Sequence, residues 1–427
     1  MTATSTRRSV FAWCLFDWAN SPYTTLVVTF VYAAYFVQAF APDAVTGTAW
    51  WSRGVATAAL LSALLAPTLG ALADRAGLRL RLLAVSTTLC VVATAALTWV
   101  APGGPRAALI AIVLFVAADV GFELGMVFYN ALLPVIAPRE RIGRISGYGW
   151  ALGYAGGLTA LVVSLIALVQ PETPWFGISR EAGFNYRATC LLAALWLALF
   201  ALPFFAWVRD TPRPPGTTTF DLGGAFREVA ATFRSVRRFR DAALFLVARL
   251  IFNDGLITVF AFGGVYAAGT FGMTLAEVIQ FGIAINVAAG IGAFGFGWVD
   301  DMIGGRRTLL LSCAALAGAT ILAVWAPTRA WFWVAGMLIG VFAGPNQAAS
   351  RSLLARFAPP GRENEFFGFF AFSGRFTAFL GPTVLGLATQ AFASQRAGVA
   401  SILLFFAVGG GLLLLVDEAR GVAAARA

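Results

Sequence analysis

Long apolar stretches separated by short polar turns run through the whole chain. Twelve windows hold mostly apolar residues, approximately 10–40, 50–73, 80–100, 106–136, 145–169, 187–208, 241–268, 275–299, 307–326, 329–350, 364–391 and 396–416. A membrane-spanning helix needs about 20 such residues, so each window predicts one span. Gly and Pro inside the windows are compatible with this, because membrane helices tolerate both.

The polar turns carry a repeat. Gly70-x-x-x-Asp74-x-x-Gly77-x-Arg79 and Gly297-x-x-x-Asp301-x-x-Gly304-x-Arg306 share one spacing, and each follows a long apolar segment. A second pattern repeats 221 residues apart: Leu132-Leu133, Ala137-Pro138, Gly147 and Gly153 return as Leu353-Leu354, Ala358-Pro359, Gly368 and Gly374. Both copies keep one membrane orientation, the parallel-repeat arrangement of twelve-helix secondary transporters. The expected fold is therefore all-α, two six-helix bundles in the major facilitator architecture. By fold analogy alone that gives a transporter of unknown cargo. The expected division is 1–208 for the first bundle, 209–240 for a linker, and 241–427 for the second bundle with a short tail.

Composition agrees with a membrane location. Hydrophobic residues make up 59% and charged ones 12%, against about 25% charged in soluble domains. The net charge of +10 comes entirely from Arg, since Lys and His are absent. Its placement argues against nucleic acid as a partner. With the N-terminus inside, Arg7, Arg8, Arg75, Arg79, Arg81, Arg139, Arg141, Arg144, Arg306, Arg307, Arg351, Arg356, Arg362 and the linker arginines fall on the cytoplasmic side. Arg106, Arg180, Arg187, Arg329 and Arg396 fall opposite. That bias puts both termini in the cytoplasm. Ser5-Thr6-Arg7-Arg8 loosely resembles a twin-arginine signal, but Asp17 and Asn20 would interrupt its apolar core, and inside-facing charges explain the arginines better. Cys14, Cys90, Cys190 and Cys313 sit singly in spans, as packing residues without metal or redox spacing. No metal or cofactor is expected.

Arg209 to Gly216 is a polar, helix-breaking connector. After it Leu222, Phe226, Val229, Phe233 and Val236 recur at helical spacing, with Arg227, Arg234 and Arg238 elsewhere. This predicts an amphipathic helix on the anionic leaflet, with a calmodulin-type binding helix as the sharper alternative.

Ionisable residues inside spans are expensive and mark functional sites. Asp17 and Asn20 are one turn apart in span one; Asp119 and Glu123 are i, i+4 in span four, with Val127 and Asn130 continuing that face. Arg249 and Asn253 share a face in span seven, with Asp254 turned away, and Arg375 lies near mid-membrane in span eleven. Carboxylates dominate the first half and arginines the second. A zwitterion suits such a site, its carboxylate on an Arg fork and its ammonium on a carboxylate. The plainer alternative is that Arg249 and Arg375 form internal ion pairs that hold one conformer. Asp119 and Glu123 are candidates to carry a proton or, equally, to pair structurally; without His, any relay runs through carboxylates or water.

Phe16-Asp-Trp-Ala-Asn-Ser-Pro-Tyr23 in span one resembles the opening signature of the vacuolar-effluxer-like branch of the major facilitator superfamily. Phe252-Asn-Asp-Gly255, Ala261-Phe-Gly-Gly-Val-Tyr266, Gly297-Trp-Val-Asp-Asp301, Asn346-Gln-Ala-Ala-Ser-Arg351 and Pro359-Pro-Gly-Arg-Glu363 resemble the same branch, in order over nearly the whole chain. The resemblance implies transport and, for the fungal autophagy-related members, amino acid efflux. It adds Asn346 and Gln347 to the candidate contacts. It also implies Lys in a position like that of Arg375, where this chain has the bulkier guanidinium. Superfamily antiporters usually carry Arg in span four and Gly-Pro in span five. This chain has acids in span four, Gly149, Gly153, Gly156 and Gly157 in span five, and its Gly381-Pro382 in span eleven, so the coupling mode stays open.

The repeated turns read as gates. Gly70, Asp74, Gly77 and Arg79, and their counterparts Gly297, Asp301, Gly304 and Arg306, would sit at the cytoplasmic surface. There each Asp faces a helix start near Arg362 or near Arg141 and Arg144, favouring its dipole and pairing with Arg. Lack of Lys excludes a Walker-loop ATPase, and lack of His excludes a Ser-His or His-metal enzyme. A carboxylate- or Ser-based membrane enzyme and a non-transporting receptor remain minor alternatives. The expected partners are a small-molecule solute, protons as the candidate coupling ion, and the lipid bilayer. The expected state is a monomer in a bacterial cytoplasmic membrane. An organic anion, phosphorylated or lysolipid-like cargo is the rival to an amino acid.

Overall fold

The computed structural model describes residues 6–104, 106–209, 223–224, 227 and 238–426, and among them there is no strand. The amphipathic linker helix expected through Leu222 to Val236 lies outside the described residues.

The first helix, α1 (Arg7–Pro22), starts at a capping box in which the Thr6 hydroxyl accepts from the Ser9 amide at 3.1 Å. Pro22 lacks the N–H that would return to the Trp18 carbonyl. Trp196 takes that carbonyl instead, donating from its indole at 3.3 Å. The chain then continues as a π-helical stretch, Tyr23–Phe30, into α2 (Tyr32–Ala39). The remainder of the first half is α3 (Ala44–Ala76), α4 (Arg79–Leu97), α5 (Ala107–Asn130), α6 (Ile142–Ser164) with a π-helical end, Leu165–Val169, and α7 (Phe184–Trp207). Asp43 caps α3 by accepting from the Thr46 amide at 2.9 Å. Gly77 ends α3 in the left-handed conformation at φ 60°.

The second half comprises α8 (Arg240–Phe271), α9 (Leu275–Ile303), α10 (Gly305–Trp325), α11 (Arg329–Phe357), α12 (Glu363–Arg375), α13 (Leu380–Ala391), α14 (Gln395–Leu414) and α15 (Glu418–Arg426). Among the described residues nine helical segments are long and apolar enough to cross a membrane, by length and composition. The other three expected windows hold the polar or interrupted tracts α1–α2, α11 and α12–α13. Two differ from the sequence expectation. The helix of the tenth window, α11, continues past residue 350 to Phe357, and that of the eleventh window breaks at Phe376–Phe379 between α12 and α13. Pro382 then falls in the first turn of α13, where a missing N–H is tolerated.

Glycines bring the helices together. Along α6, Gly149, Gly153, Gly156 and Gly157 face Asp17, Ser21, Trp18 and Thr25 of the α1 tract so closely that a Cβ would overlap them. Between the halves, α6 packs on α9 and α3 on α12. These contacts obey the sequence repeat: Gly147 lies on the Ala293 carbonyl as Gly368 lies on that of Ala66. Among the described residues, the hydrogen bonds, ion pairs and ring contacts that link the halves all fall toward one end. This end bears the 77 and 304 turns and is called the arginine-rich face. Toward the opposite end the halves share none of these bonds. The C-terminal tail is a helix folded back on that face. The Arg420 guanidinium donates to both oxygens of Asp241, at 2.7 Å each.

Candidate transport site and gates

Glu123 of α5 and Arg375 of α12 form a direct ion pair across the two halves. Arg375 is the last residue of its helix, where a cation suits the helix dipole and the chain then breaks away. The pair is not sealed: the Arg375 side chain keeps 34% of its exposure, and it lies between the halves. Around it, Asp119 accepts from the Tyr23 hydroxyl at 3.4 Å. Arg249 of α8 lies 3.5 Å over the Phe370 ring. It donates to the Phe370 carbonyl at 2.8 Å and the Ser373 hydroxyl at 2.9 Å. Among the described residues no carboxylate comes within ion-pair reach of Arg249, so the two central arginines have different partners. Asn253 reaches the Gly374 carbonyl at 3.5 Å.

Four expected members, Asp254, Asn346, Asp17 and Asn20, lie elsewhere. Asp254, 2% exposed, packs with Thr258 and Gly381 and leaves one carboxylate oxygen without a partner among the described residues. Asn346 donates to Ser312 at 2.9 Å and Cys313 at 3.5 Å, which ties α11 to α10 inside the second half. Asp17 faces the neighbouring cluster around Arg351, with Asn20 donating to it at 3.5 Å and to the Met126 sulfur at 3.4 Å. Gln347 does cross the interface, accepting from the Tyr154 hydroxyl at 2.8 Å.

Arg351 is not on the arginine-rich surface where its position past the tenth window suggested. The helix extension buries it to 2% exposure. Its guanidinium donates to Asp17 at 2.9 Å, Asn130 at 3.3 Å, the Ser146 hydroxyl at 2.9 Å and the Ser146 carbonyl at 2.6 Å. The Trp13 ring lies 4.6 Å from it.

The two turn aspartates sit at helix starts in the opposite half, as their spacing suggested. Asp74 accepts from the Asn364 amide at 3.2 Å, its side chain at 2.6 Å and the Glu365 amide at 2.9 Å, at the start of α12. Asp301 accepts from the Gly143 and Arg144 amides at 2.8 and 3.3 Å and from the Arg144 side chain at 2.6 Å, at the start of α6. Four unsatisfied N–H groups open every helix, so a carboxylate there gains hydrogen bonds and a favourable dipole together. Gly70 and Gly297 allow it, because a Cβ on either would press into the backbone of Asn364 or Arg144.

The arginines divide differently from expectation. Arg79 does cross, pairing with Glu363 at 2.9 Å and lying 3.6 Å from Asp74. Arg306, its repeat counterpart, donates instead to the Leu413 and Leu414 carbonyls of its own half. Arg362 pairs with Glu365 on its own helix at 2.8 Å, and Arg141 is exposed while the nearby Arg144 reaches Asp301. In the second turn the carboxylate is supplied by the tail. Glu418 accepts from the Gly305 and Arg306 amides and from Arg356, which also holds Asp300 at 2.7 Å. Gly304 makes room for Glu418 at φ 89°.

Residues 37–426 match the family described as Vacuole effluxer Atg22 like. The chain belongs to that family. It is 26% identical over 415 residues to the uncharacterized MFS-type transporter YxiO of Bacillus subtilis (strain 168), covering 95% of this chain and 94% of that one. Autophagy-related protein 22-1 of Neosartorya fischeri is 24% identical over 65% of this chain and 48% of its own length. The chain thus spans about half the length of the fungal relatives it matches. Among solved structures, the proton:xylose symporter XylE superposes with a TM-score of 0.75 at 11% identity, covering 99% of this chain and 98% of that one. The fold is that of the major facilitator superfamily, and the chain is an integral membrane transporter of the Atg22-like family.

In this Atg22-like chain the residues that sequence reasoning missed as site members are Arg351, Glu363, Asn364, Arg356, Asp300, Tyr23 and Glu418. One signal was present: the 221-residue repeat aligns Asn130 with Arg351, which places both at the contact of the halves. An apolar cavity of about 40 Å³ lined by Phe262, Tyr266, Phe281 and Phe332 holds no charged group.

Proposed function

We propose that the chain is a secondary transporter for a small zwitterion, an amino acid or close relative, working by alternating access. The observation that carries this reading is the Glu123–Arg375 pair. It joins a carboxylate of one half to a guanidinium of the other, and it stays open to the space between them. A zwitterion can replace both partners at once, its carboxylate on Arg375 and its ammonium on Glu123. Asp119, one turn from Glu123 and bonded to Tyr23, supports proton exchange at the same place. The bias of arginines toward the closed face supports a cytoplasmic location for it and for both termini. On that reading this conformer is closed inside and open outside. The bacterial relative supports the cytoplasmic membrane, and the family description supports export. No covalent step is assigned to the chain.

Arg249 favours a second reading, transport of an organic anion, because its charge meets no carboxylate among the described residues. Thermal stabilisation of the purified protein by panels of amino acids, organic anions and lysolipids separates the two. Counterflow in proteoliposomes then tests transport of the ligand that stabilises. A shift from amino acids that disappears in Arg375→Ala supports the zwitterion; a shift from anions alone overturns it.

A further inference from the structure

Two charge pairs join the halves near the centre, and they differ in access. Glu123–Arg375 is open to solute, whereas Arg351–Asp17 is sealed, its side chains 2% and 8% exposed. Arg351 comes from α11 in the second half, yet Asp17, Asn130 and Ser146, which hold its guanidinium, all belong to the first half. So do the rings around it, Trp13, Tyr129 and Trp150. Asn130 and Arg351 are equivalent positions of the repeat and touch each other, so the contact lies where the two pseudo-symmetric halves meet. Gly149 completes the cradle: a Cβ there would overlap both the Asp17 carboxylate and the Arg351 guanidinium.

We propose that Arg351 is the central bolt of the transport cycle, seated in its first-half cradle while the arginine-rich face is closed and withdrawn whenever that face opens. Among the described residues every hydrogen bond of its guanidinium goes to the first half, so separation of the halves there breaks them together. That makes the step cooperative and sets it apart from the cargo pair. The inference rests on alternating access, but its readout needs no cargo, so it can fail or stand independently of the zwitterion assignment.

The test is maleimide labelling of an Ala348→Cys reporter in the full-length protein. Ala348 is 4% exposed, and its carbonyl accepts from Ser146 at 2.8 Å across the interface. The four native cysteines are buried and give a low background. Arg351→Gln and Asp17→Asn should raise the labelling rate at least tenfold. Gly149→Ala should do the same with both charges retained, by wedging the cradle apart. Arg329→Gln, exposed at the opposite end, should leave the rate unchanged. If Arg351→Gln does not fold, Arg351→Lys keeps the charge without the fork and should give an intermediate rate. Unchanged labelling in the folded Arg351 and Gly149 variants overturns the bolt. So does an equal rise at an Ala188→Cys reporter, buried within the first half away from the interface, because that would report general loosening.

Discussion

Asp301→Asn should open the arginine-rich face without unfolding the protein. The carboxylate serves two backbone amides at the start of α6, at 2.8 and 3.3 Å, and the Arg144 side chain at 2.6 Å. Asn keeps one acceptor oxygen and turns an N–H₂ toward the remaining donors. Each amide bond to a charged acceptor exceeds a neutral one by about 1 kcal/mol. The helix dipole adds roughly 0.3–1 kcal/mol. The Arg144 pair, its Arg side chain 31% exposed, is discounted to at most about 1 kcal/mol. The closed state should therefore lose about 2–4 kcal/mol, which is roughly 30–1,000-fold in the closed-to-open ratio. Spin labels at Arg139 and Met302, both exposed and flanking this turn, read the separation. The variant should gain a longer-distance population and transport more slowly. Asp74→Asn should act alike at the other turn, and the double variant should sum the two, since the sites share no partner. Wild-type distances together with wild-type rates in both single variants would refute the latch.

Other perturbations separate the remaining parts. Glu123→Gln should abolish the thermal shift given by an amino acid at 100 times its Kd, worth about 2.7 kcal/mol in the wild type, while a saturating organic anion keeps its effect. Arg249→Lys should weaken any anion effect and lower apo stability by about 2 kcal/mol in a melting experiment. The planar guanidinium covers the Phe370 ring while a single one of its nitrogens donates to both the Phe370 carbonyl and Ser373, and an ammonium has no second nitrogen or plane with which to do both. Glu418→Ala should lower Tm by uncapping α10 and releasing Arg356, an effect of about 1–3 kcal/mol. At the opposite end, the Thr46 amide and then its hydroxyl hold the Asp43 carboxyl below the usual carboxylate range. That cap is thus intact at neutral pH and weakens only as pH falls through the lowered value. Hydrogen exchange at the start of α3 should accelerate in that acid window, and in Asp43→Ala at any pH.

The spans, the repeat and the turn aspartates were legible because each depends on local pattern. An apolar run predicts a helix, and a carboxylate fixed four residues after a glycine returns in both copies. What was not legible depends on how far a helix continues and what it meets. Arg351 follows an apolar window by one residue, so it read as a surface charge. The continuation of α11 to Phe357 and the small residues of α6 place it inside. Glu363 stood beside Arg362 as part of a polar loop, yet it takes the charge of Arg79 from the other half. Asp254 and Asn346 matched the site by type and depth, but helix rotation turns them toward Gly381 and Ser312. Spacing gives a residue's face only within its own helix. The neighbour on that face comes from tertiary packing.

The interface is then layered. Farthest in lies Glu123–Arg375, whose Arg side chain stays about a third exposed; next is the sealed Arg351 cradle; outermost are the aspartates on the helix starts. Each layer joins a group fixed in one half to groups fixed in the other, so opening the arginine-rich face must break all three. A ligand shifts such an equilibrium only by its differential affinity for the two states. On the proposed function, the innermost pair is the one that exchanges its partners for those of a solute. Cargo that satisfies both Glu123 and Arg375 removes one layer and leaves the others to set the rate. The outer layers need no knowledge of the cargo, and the turn motif of the outermost one is repeated in both halves. The innermost pair is asymmetric, acid in one half and base in the other, and on the proposed function it is there that the chain distinguishes one solute from another.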